Sequence, residues 1–251
     1  MQRPNILLLF PDQQRHDTIH ANGADFMKTP NLDRLVEEGC IFRNAYSPNP
    51  VCMPARHYLL TGVSARHHGY YENSLAPIAD EGIPTIPQVL SDHGYNTVAV
   101  GKMHFHPPRR HHGFDEMHLM EEIPHQVLDD AYLKFLKNKG LEDLRNIHGI
   151  RPGAYHSPQT AIMPEKDHGV NWVADKSIEW LEENGDSPFF MMCGWIKPHP
   201  PWNIPEEWRD FYKDASLPEP AAVSREFPFH SEECEFYGDN DSPEVKRKIR
   251  E

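Results

Sequence analysis

Short, unbroken apolar runs alternate along this chain with segments of helical period. Asn5-Ile-Leu-Leu-Leu-Phe10 is stopped by Pro11, the pattern of a strand buried on both faces. Thr29-Pro30 offers an N-cap and a first-turn proline. Leu32, Leu35 and Val36 follow at helical spacing, and Gly39 fits the position just past a helix end. Ile41–Tyr46 reads as a strand and Pro54–Leu60 as a short helix. Thr85–His93 reads as a helix ended by Gly94, and Tyr95–Val100 as a second buried strand closing at Gly101. His104 to Pro124, with its prolines, histidines and glycine, reads as a long surface loop, and long loops tend to be functional. Val170–Asn184 carries Val170, Val173, Ile178 and Leu181 on one helical period, closed by Gly185, and Phe189–Trp195 is a third buried run. Near the end, Ser242-Pro243-Glu244 reads as a helix start, with Val245 and Ile249 four apart on one face. Strands alternating with helices predict an α/β fold: a mostly parallel central sheet with helices on both faces.

Composition narrows the function. The 251 residues are 38% hydrophobic and 25% charged, and no run approaches the roughly 18 apolar residues of a membrane span. The 38 acids outweigh 25 bases, a net charge of −13, which argues against non-specific nucleic-acid binding. An anionic small substrate remains compatible, because cations in a desolvated cleft outweigh a field screened within roughly 8 Å. Met1-Gln2-Arg3-Pro4 runs straight into the first strand without the charged and apolar regions of a secretory leader, so a cytoplasmic location is expected. Cys40, Cys52, Cys193 and Cys234 are widely spaced, with no CxxC pair, and suggest neither a zinc ribbon nor a disulfide scaffold. Cys40 and Cys193 read as packed thiols and Cys234 as exposed.

The most specific feature is Cys52-Met53-Pro54-Ala55-Arg56, followed by Leu60-Thr61-Gly62. It places a cysteine at the mouth of a helix with an arginine one turn on. Helix N-terminus and guanidinium both favour negative charge at position 52. Two readings stay open from these residues alone: a low-pKa thiolate nucleophile and a buried structural cysteine.

The string Cys-x-Pro-x-Arg with its downstream Thr-Gly resembles the signature of the type I sulfatases of the alkaline phosphatase superfamily. The resemblance implies an alkaline-phosphatase-like fold. It implies that Cys52 is oxidised after translation to formylglycine by a formylglycine-generating or other sulfatase-maturing enzyme. One hydroxyl of the formylglycine hydrate attacks sulfur, and the other is later deprotonated to expel sulfate. Arg56 orients and stabilises the nucleophile. The implied reaction is hydrolysis of a small sulfated substrate to alcohol and inorganic sulfate.

Further segments fit the same family. Asp12-Gln13 follows the first strand at its carboxyl end, where ligands bind in open α/β sheets. A carboxylate there suits a hard divalent cation, while a cap or turn residue is the plain alternative. The family holds metal here with an acid pair, so Asp12, Gln13 and Cys52 are metal-site candidates, calcium first, magnesium or manganese next. Gln13 in place of the second acid resembles the choline-sulfatase and phosphonate-monoester-hydrolase branches. Gly101-Lys102-Met103-His104 resembles the family's Gly-Lys-x-His. Lys102 and His104, two apart, would face one side of an extended segment, to bind a sulfate oxygen and polarise the leaving group. Lys197-Pro198-His199-Pro200 resembles the family's Pro-His-x-Pro, with His199 as general acid and Lys197 as a candidate substrate contact. Asn73 fits a substrate-contacting asparagine or a turn residue. His16, His20, His67, His68, His111 and His112 form no convincing set.

The family completes its metal site with an Asp-His or Asp-Asn pair after a later strand and a further lysine. No such segment follows His199; Asp239-Asn240 lacks a preceding apolar strand. Residues 1–251 are therefore expected to be the amino-terminal part of a single sulfatase catalytic domain, with weak metal binding by themselves. The alternatives are a phosphonate monoester or phosphodiester hydrolase of the same superfamily, and a catalytically inert truncated domain.

Overall fold

The described strands are β1 (Ile6–Asp12), β2 (Asn96–Gly101), β3 (Glu116–Leu119), β4 (Gln159–Thr160), β5 (Phe189–Pro198) and β6 (Asn203–Ile204). The described helices are α1 (Pro30–Glu38), α2 (Cys52–Thr61), α3 (Ala65–His68), α4 (Ile86–Asp92), α5 (Ala131–Asn138) and α6 (Gly169–Asn184). These come from a computed structural model that describes residues 3–73, 82–124, 130–141, 143–151 and 158–218. The predicted features at Ser242–Ile249, Asp239-Asn240 and Cys234 lie outside the described residues.

The chain divides into two compact units. One comprises Met1–Gln13, Asn44–Leu144 and Gly169–Pro198; the other Gln14–Arg43, Arg145–His168 and His199–Glu251. The first holds a four-stranded sheet ordered β1-β5-β2-β3, with every neighbouring pair parallel. Leu8, Ala99 and Met192 stand in register across three strands. With Phe190 they face a core that includes Leu60 of α2, Phe105 and Phe114, against which Leu59 and Leu90 also pack. Phe114 stacks on Phe190 at a centroid distance of 5.8 Å. Burying a side chain of this size contributes roughly 1.5–3 kcal/mol. On the opposite face, α6 packs against β5 and β2, and Ser177 Oγ lies 3.1 Å from Cys193 Sγ. The central strands β2 and β5 are thus covered on both sides, as their continuous apolar sequences require.

The edges differ from expectation. β1 is an edge strand among the described residues, and Leu7 and Leu9 are 49% and 44% exposed, so it is not buried on both faces. Ile41–Tyr46 forms no strand; Phe42 and Tyr46 are exposed there. The segment from His104 to Pro124 is more than a surface loop: it contains β3, and Phe105, Phe114 and Met120 are core residues. Cys40 is exposed, not packed, whereas Cys193 is buried.

In the second unit, α1 begins after Thr29, as predicted. The Thr29 hydroxyl donates to Asp33 and accepts the His20 amide. Gly39 ends α1 in an extended conformation, not the left-handed one. Lys28 lies over the Phe211 ring, 4.7 Å from its centroid, and its amide donates to the Tyr212 hydroxyl at 3.0 Å.

Two glycines let β2, where it ends, lie close against β5. Gly101 has φ 94°, and a Cβ there would stand 2.0 Å from the Gly194 carbonyl oxygen. A Cβ on Gly194 would stand 2.1 Å from the Lys102 carbonyl oxygen. Both obstacles are backbone and cannot rotate away. Gly194→Ala is expected to cost about 3 kcal/mol, a melting-temperature drop of roughly 6–12 °C for a chain of this length. A drop under two degrees would show that the end of β2 and the middle of β5 are not this tightly apposed.

Candidate active site

The site lies at the carboxyl ends of the parallel strands, within the first unit. The β1–β5 register shifts between Pro11 and Asp12, and the Asp12 carboxylate meets α2 there. The Cys52 thiol donates to Asp12 Oδ2 at 3.6 Å. Arg56 Nη2 lies 3.6 Å from the same oxygen, and Lys102 Nζ forms a close ion pair with it. The Lys102 ammonium also reaches Cys52 Sγ at 3.8 Å and Glu122 Oε2 at 2.6 Å. Asp12, Cys52, Arg56 and Lys102, predicted from three separate motifs, therefore share one small volume.

The local sequence explains how α2 presents Cys52. Val51, its N-cap residue, has no side-chain acceptor, so the first turn's orphan amides need a partner from elsewhere. Asn73 supplies it: its Oδ1 accepts the Met53 amide at 2.9 Å. At the other end Gly62, with φ 68°, closes the helix onto the Tyr58 carbonyl. Met53, Arg56, His57 and Leu60 are buried. His57 stacks on Tyr70 at 4.1 Å and meets the His112 ring edge-on at 5.2 Å. His68 and His112 thus belong to the packing behind α2. Arg56 lies over the Phe10 ring, 4.9 Å from its centroid, and donates to the Lys102 carbonyl at 2.7 Å. It acts on Cys52 through its charge and by holding Lys102 in place.

The electrostatics correct one expectation. Burial pushes the Cys52 thiol above its ordinary pKa; Lys102 opposes this, and Asp12 adds to it. The thiol is thus held above, not below, the ordinary cysteine value. The lost water and the carboxylates of Asp12 and Glu122 outweigh the positive charges of Lys102 and Arg56. Burial works against the charge on Lys102, but Asp12 and Glu122 overcome it and hold its pKa above the usual lysine value. Burial and then Lys102 lower His104 to about 4, so its imidazole is neutral near pH 7. Its Nδ1 is buried and makes no hydrogen bond among the described residues.

Lys102 and His104 do not flank an extended segment as the two-residue spacing suggested. His104 has φ 50°, and the chain turns there. Gln13 is exposed, with φ 64°. Lys197 is half-buried at the end of β5. His199 belongs to the second unit, with Nδ1 2.6 Å from the Pro200 carbonyl oxygen. Sequence reasoning missed two acids, Glu121 and Glu122. They follow β3 at the same end of the sheet as Lys102, because β2 and β3 are parallel. The apolar Leu119-Met120 directly before them was the available signal.

The profile of the sulfatase family matches residues 4–227. The chain belongs to the sulfatase family. This sulfatase chain is 35% identical over 234 residues to an arylsulfatase of Clostridium perfringens, covering 87% of this chain and 48% of that protein. It is 29% identical over 229 residues to a choline-sulfatase of Rhizobium meliloti, covering 88% and 44%. The crystal structure of a phosphonate monoester hydrolase of Agrobacterium radiobacter superposes with a TM-score of 0.70 at 27% identity, covering 86% of this chain and 45% of that one. The chain thus spans about half the length of the relatives it matches.

Sulfatases generally use a divalent metal and formylglycine. A calcium ion takes six to eight oxygen ligands. Among the described residues, Asp12 is the acid in hydrogen-bond contact with Cys52, and Lys102 and Arg56 engage its carboxylate. No group of three or more metal-ligating side chains occurs among the described residues. Their donor set is not that of a complete cation site.

Proposed function

We propose that the protein hydrolyses a sulfate monoester to an alcohol and inorganic sulfate, using a nucleophile made from Cys52. The observation that carries this is the placement of the Cys52 sulfur at the mouth of α2, 3.6 Å from Asp12 and 3.8 Å from the Lys102 ammonium. Formylglycine at position 52, introduced by a maturing enzyme, supplies as its hydrate the hydroxyl that attacks sulfur. Arg56 and Lys102 provide positive charge beside that hydroxyl and the sulfate oxygens. The depressed basicity of His104 keeps it a neutral donor or acceptor toward the ester. By its motif, His199 protonates the leaving alkoxide, and Lys197 contacts the sulfate. Asn73 fixes the helix mouth through Met53, and its remaining amide N–H groups suit a substrate oxygen.

Asp12 and Gln13 are proposed as part of a divalent-cation ligand set at position 52, calcium before magnesium or manganese, completed by residues outside those described. Residues 1–251 then form the amino-terminal part of one catalytic domain.

Phosphonate monoester hydrolysis is the second reading, favoured by Gln13 and by the similarity to the Agrobacterium enzyme. Paired rates on an aryl sulfate and an aryl phosphonate monoester separate the two; the sulfate is expected to react faster. Peptide mass spectrometry of protein co-expressed with a maturing enzyme should show loss of thiol mass at Cys52 and at no other cysteine. An unmodified Cys52 in an active preparation would overturn the formylglycine route.

A further inference from the structure

We infer that Glu121 is a positioning residue, a carboxylate clamp that fixes the turn carrying Lys102 and His104; this rests on the function proposed above. Past Gly101 the sheet no longer supplies partners. The Lys102 amide still reaches the Gly194 carbonyl at 2.8 Å, but Met103 and His104 have left the strand. Met103 is buried and His104 half-buried, and amides drawn out of water need an acceptor. Glu121 provides it for both. Its Oε1 accepts Met103 N at 3.1 Å and His104 N at 2.9 Å, and Oε2 lies 3.1 Å from the same His104 amide.

Consecutive amides about a left-handed residue form a concave anion-binding nest. His104, at φ 50°, is the left-handed residue here, and the anion is the protein's own carboxylate. A non-glycine residue holds that conformation only where its surroundings impose it. The clamp is itself anchored. The Glu121 amide donates to Asp130 Oδ2 at 2.7 Å, and Asp130 Oδ1 caps α5 through Leu133 N at 2.8 Å. The hydrogen-bonded path thus runs from the first turn of α5 to the backbone of His104. The neighbouring Glu122 grips the Lys102 ammonium, so adjacent acids hold the backbone and the side chain of one motif.

The test exploits the sequence. Met-His occurs only at Met103-His104 and Met117-His118. Protein labelled with carbonyl-13C methionine and 15N histidine therefore gives two selected amide signals, His104 and His118, and His118 within β3 serves as the internal control. In Glu121→Gln the His104 amide proton should move upfield, as a charged acceptor becomes neutral, while His118 stays in place. In the whole matured protein, kcat on an aryl sulfate should fall about ten- to a hundredfold with KM within about twofold, as a displaced catalytic group predicts. Glu121→Asp, which restores the charge, should recover part of kcat. If Glu121→Gln does not fold, Glu121→Asp is read in the same two ways, with smaller shifts. A His104 signal unchanged in the variant overturns the clamp, as does a moved signal with wild-type kcat. Wild-type protein that hydrolyses neither ester overturns the functional reading instead, and the amide signal then decides the clamp alone.

Discussion

Cys52→Ala is expected to lower turnover by roughly five orders of magnitude or more, the loss that follows removal of a covalent nucleophile. Nothing else among the described residues is placed to replace it. Asp12 is acceptor-only when ionised, Lys102 is held charged, and Arg56 does not deprotonate. Folding should be little affected: alanine is the best helix former, and the hydrogen bonds of the Cys52 sulfur to Asp12 and Lys102 are long, at 3.6 to 4.0 Å. The cations that hold an anion remain, so competition by inorganic sulfate should persist within a few-fold of wild type. Steady-state rates and a thermal melt on the same preparation check both halves. Turnover above a hundredth of wild type, with the melt unchanged, would remove Cys52 from the chemistry. Cys52→Ser keeps a hydroxyl at the same place and is the weaker test.

The sheet's centre was legible because its signal is local. Continuous apolar runs at Tyr95–Val100 and Phe189–Trp195 match β2 and β5 within a few residues, since a strand covered on both faces has no polar side. Thr85 was readable as the start of α4, and its hydroxyl does accept the Gln88 amide. The edges were less legible. The Asn5–Phe10 run is as apolar as the central ones, yet β1 pairs only with β5 among the described residues, and no local pattern reports a strand's place in a sheet. Glu116-Met-His-Leu119 was too short and too polar to register. It forms β3 because β2 offers it a parallel edge. The 104–124 stretch was misread because histidine and proline suggested solvent, whereas Phe105, Phe114 and Met120 anchor it in the core.

The site divides in the same way. Cys52, Arg56 and Lys102 were found from motif resemblance, and Asp12 from its place after a strand. Their proximity depends on the parallel order of β1, β5 and β2, which brings three carboxyl ends together. Glu121 and Glu122 carried no motif. Their role appears only when β3 is set beside β2, because the acids then fall level with the turn at Lys102. The state of the cysteine was likewise hidden. Helix mouth and arginine pointed to a thiolate, but desolvation and two carboxylates, none local in sequence, reverse the sign.

Lys102→Met should lower turnover by about two to three orders of magnitude. A preorganised donor aimed at developing charge contributes roughly 3–4 kcal/mol to barrier lowering, and the Lys102 ammonium reaches the Cys52 sulfur at 3.8 Å. It is fully buried and bound on both sides by carboxylates, so the ammonium needs no reorganisation when charge appears. The same burial complicates a simple deletion. Removing one partner of a buried ionic cluster leaves uncompensated charge and destabilises by about 3–5 kcal/mol, so Lys102→Met alone lowers both activity and melting temperature. Adding Glu122→Gln removes one of the two stranded charges. The double variant should regain much of the lost melting temperature while turnover stays two to three orders down. That split separates stabilisation of the reacting ester from maintenance of the fold. If turnover recovers in step with the melting temperature, Lys102 is a structural cation, and the charge that meets the ester must come from elsewhere in the site.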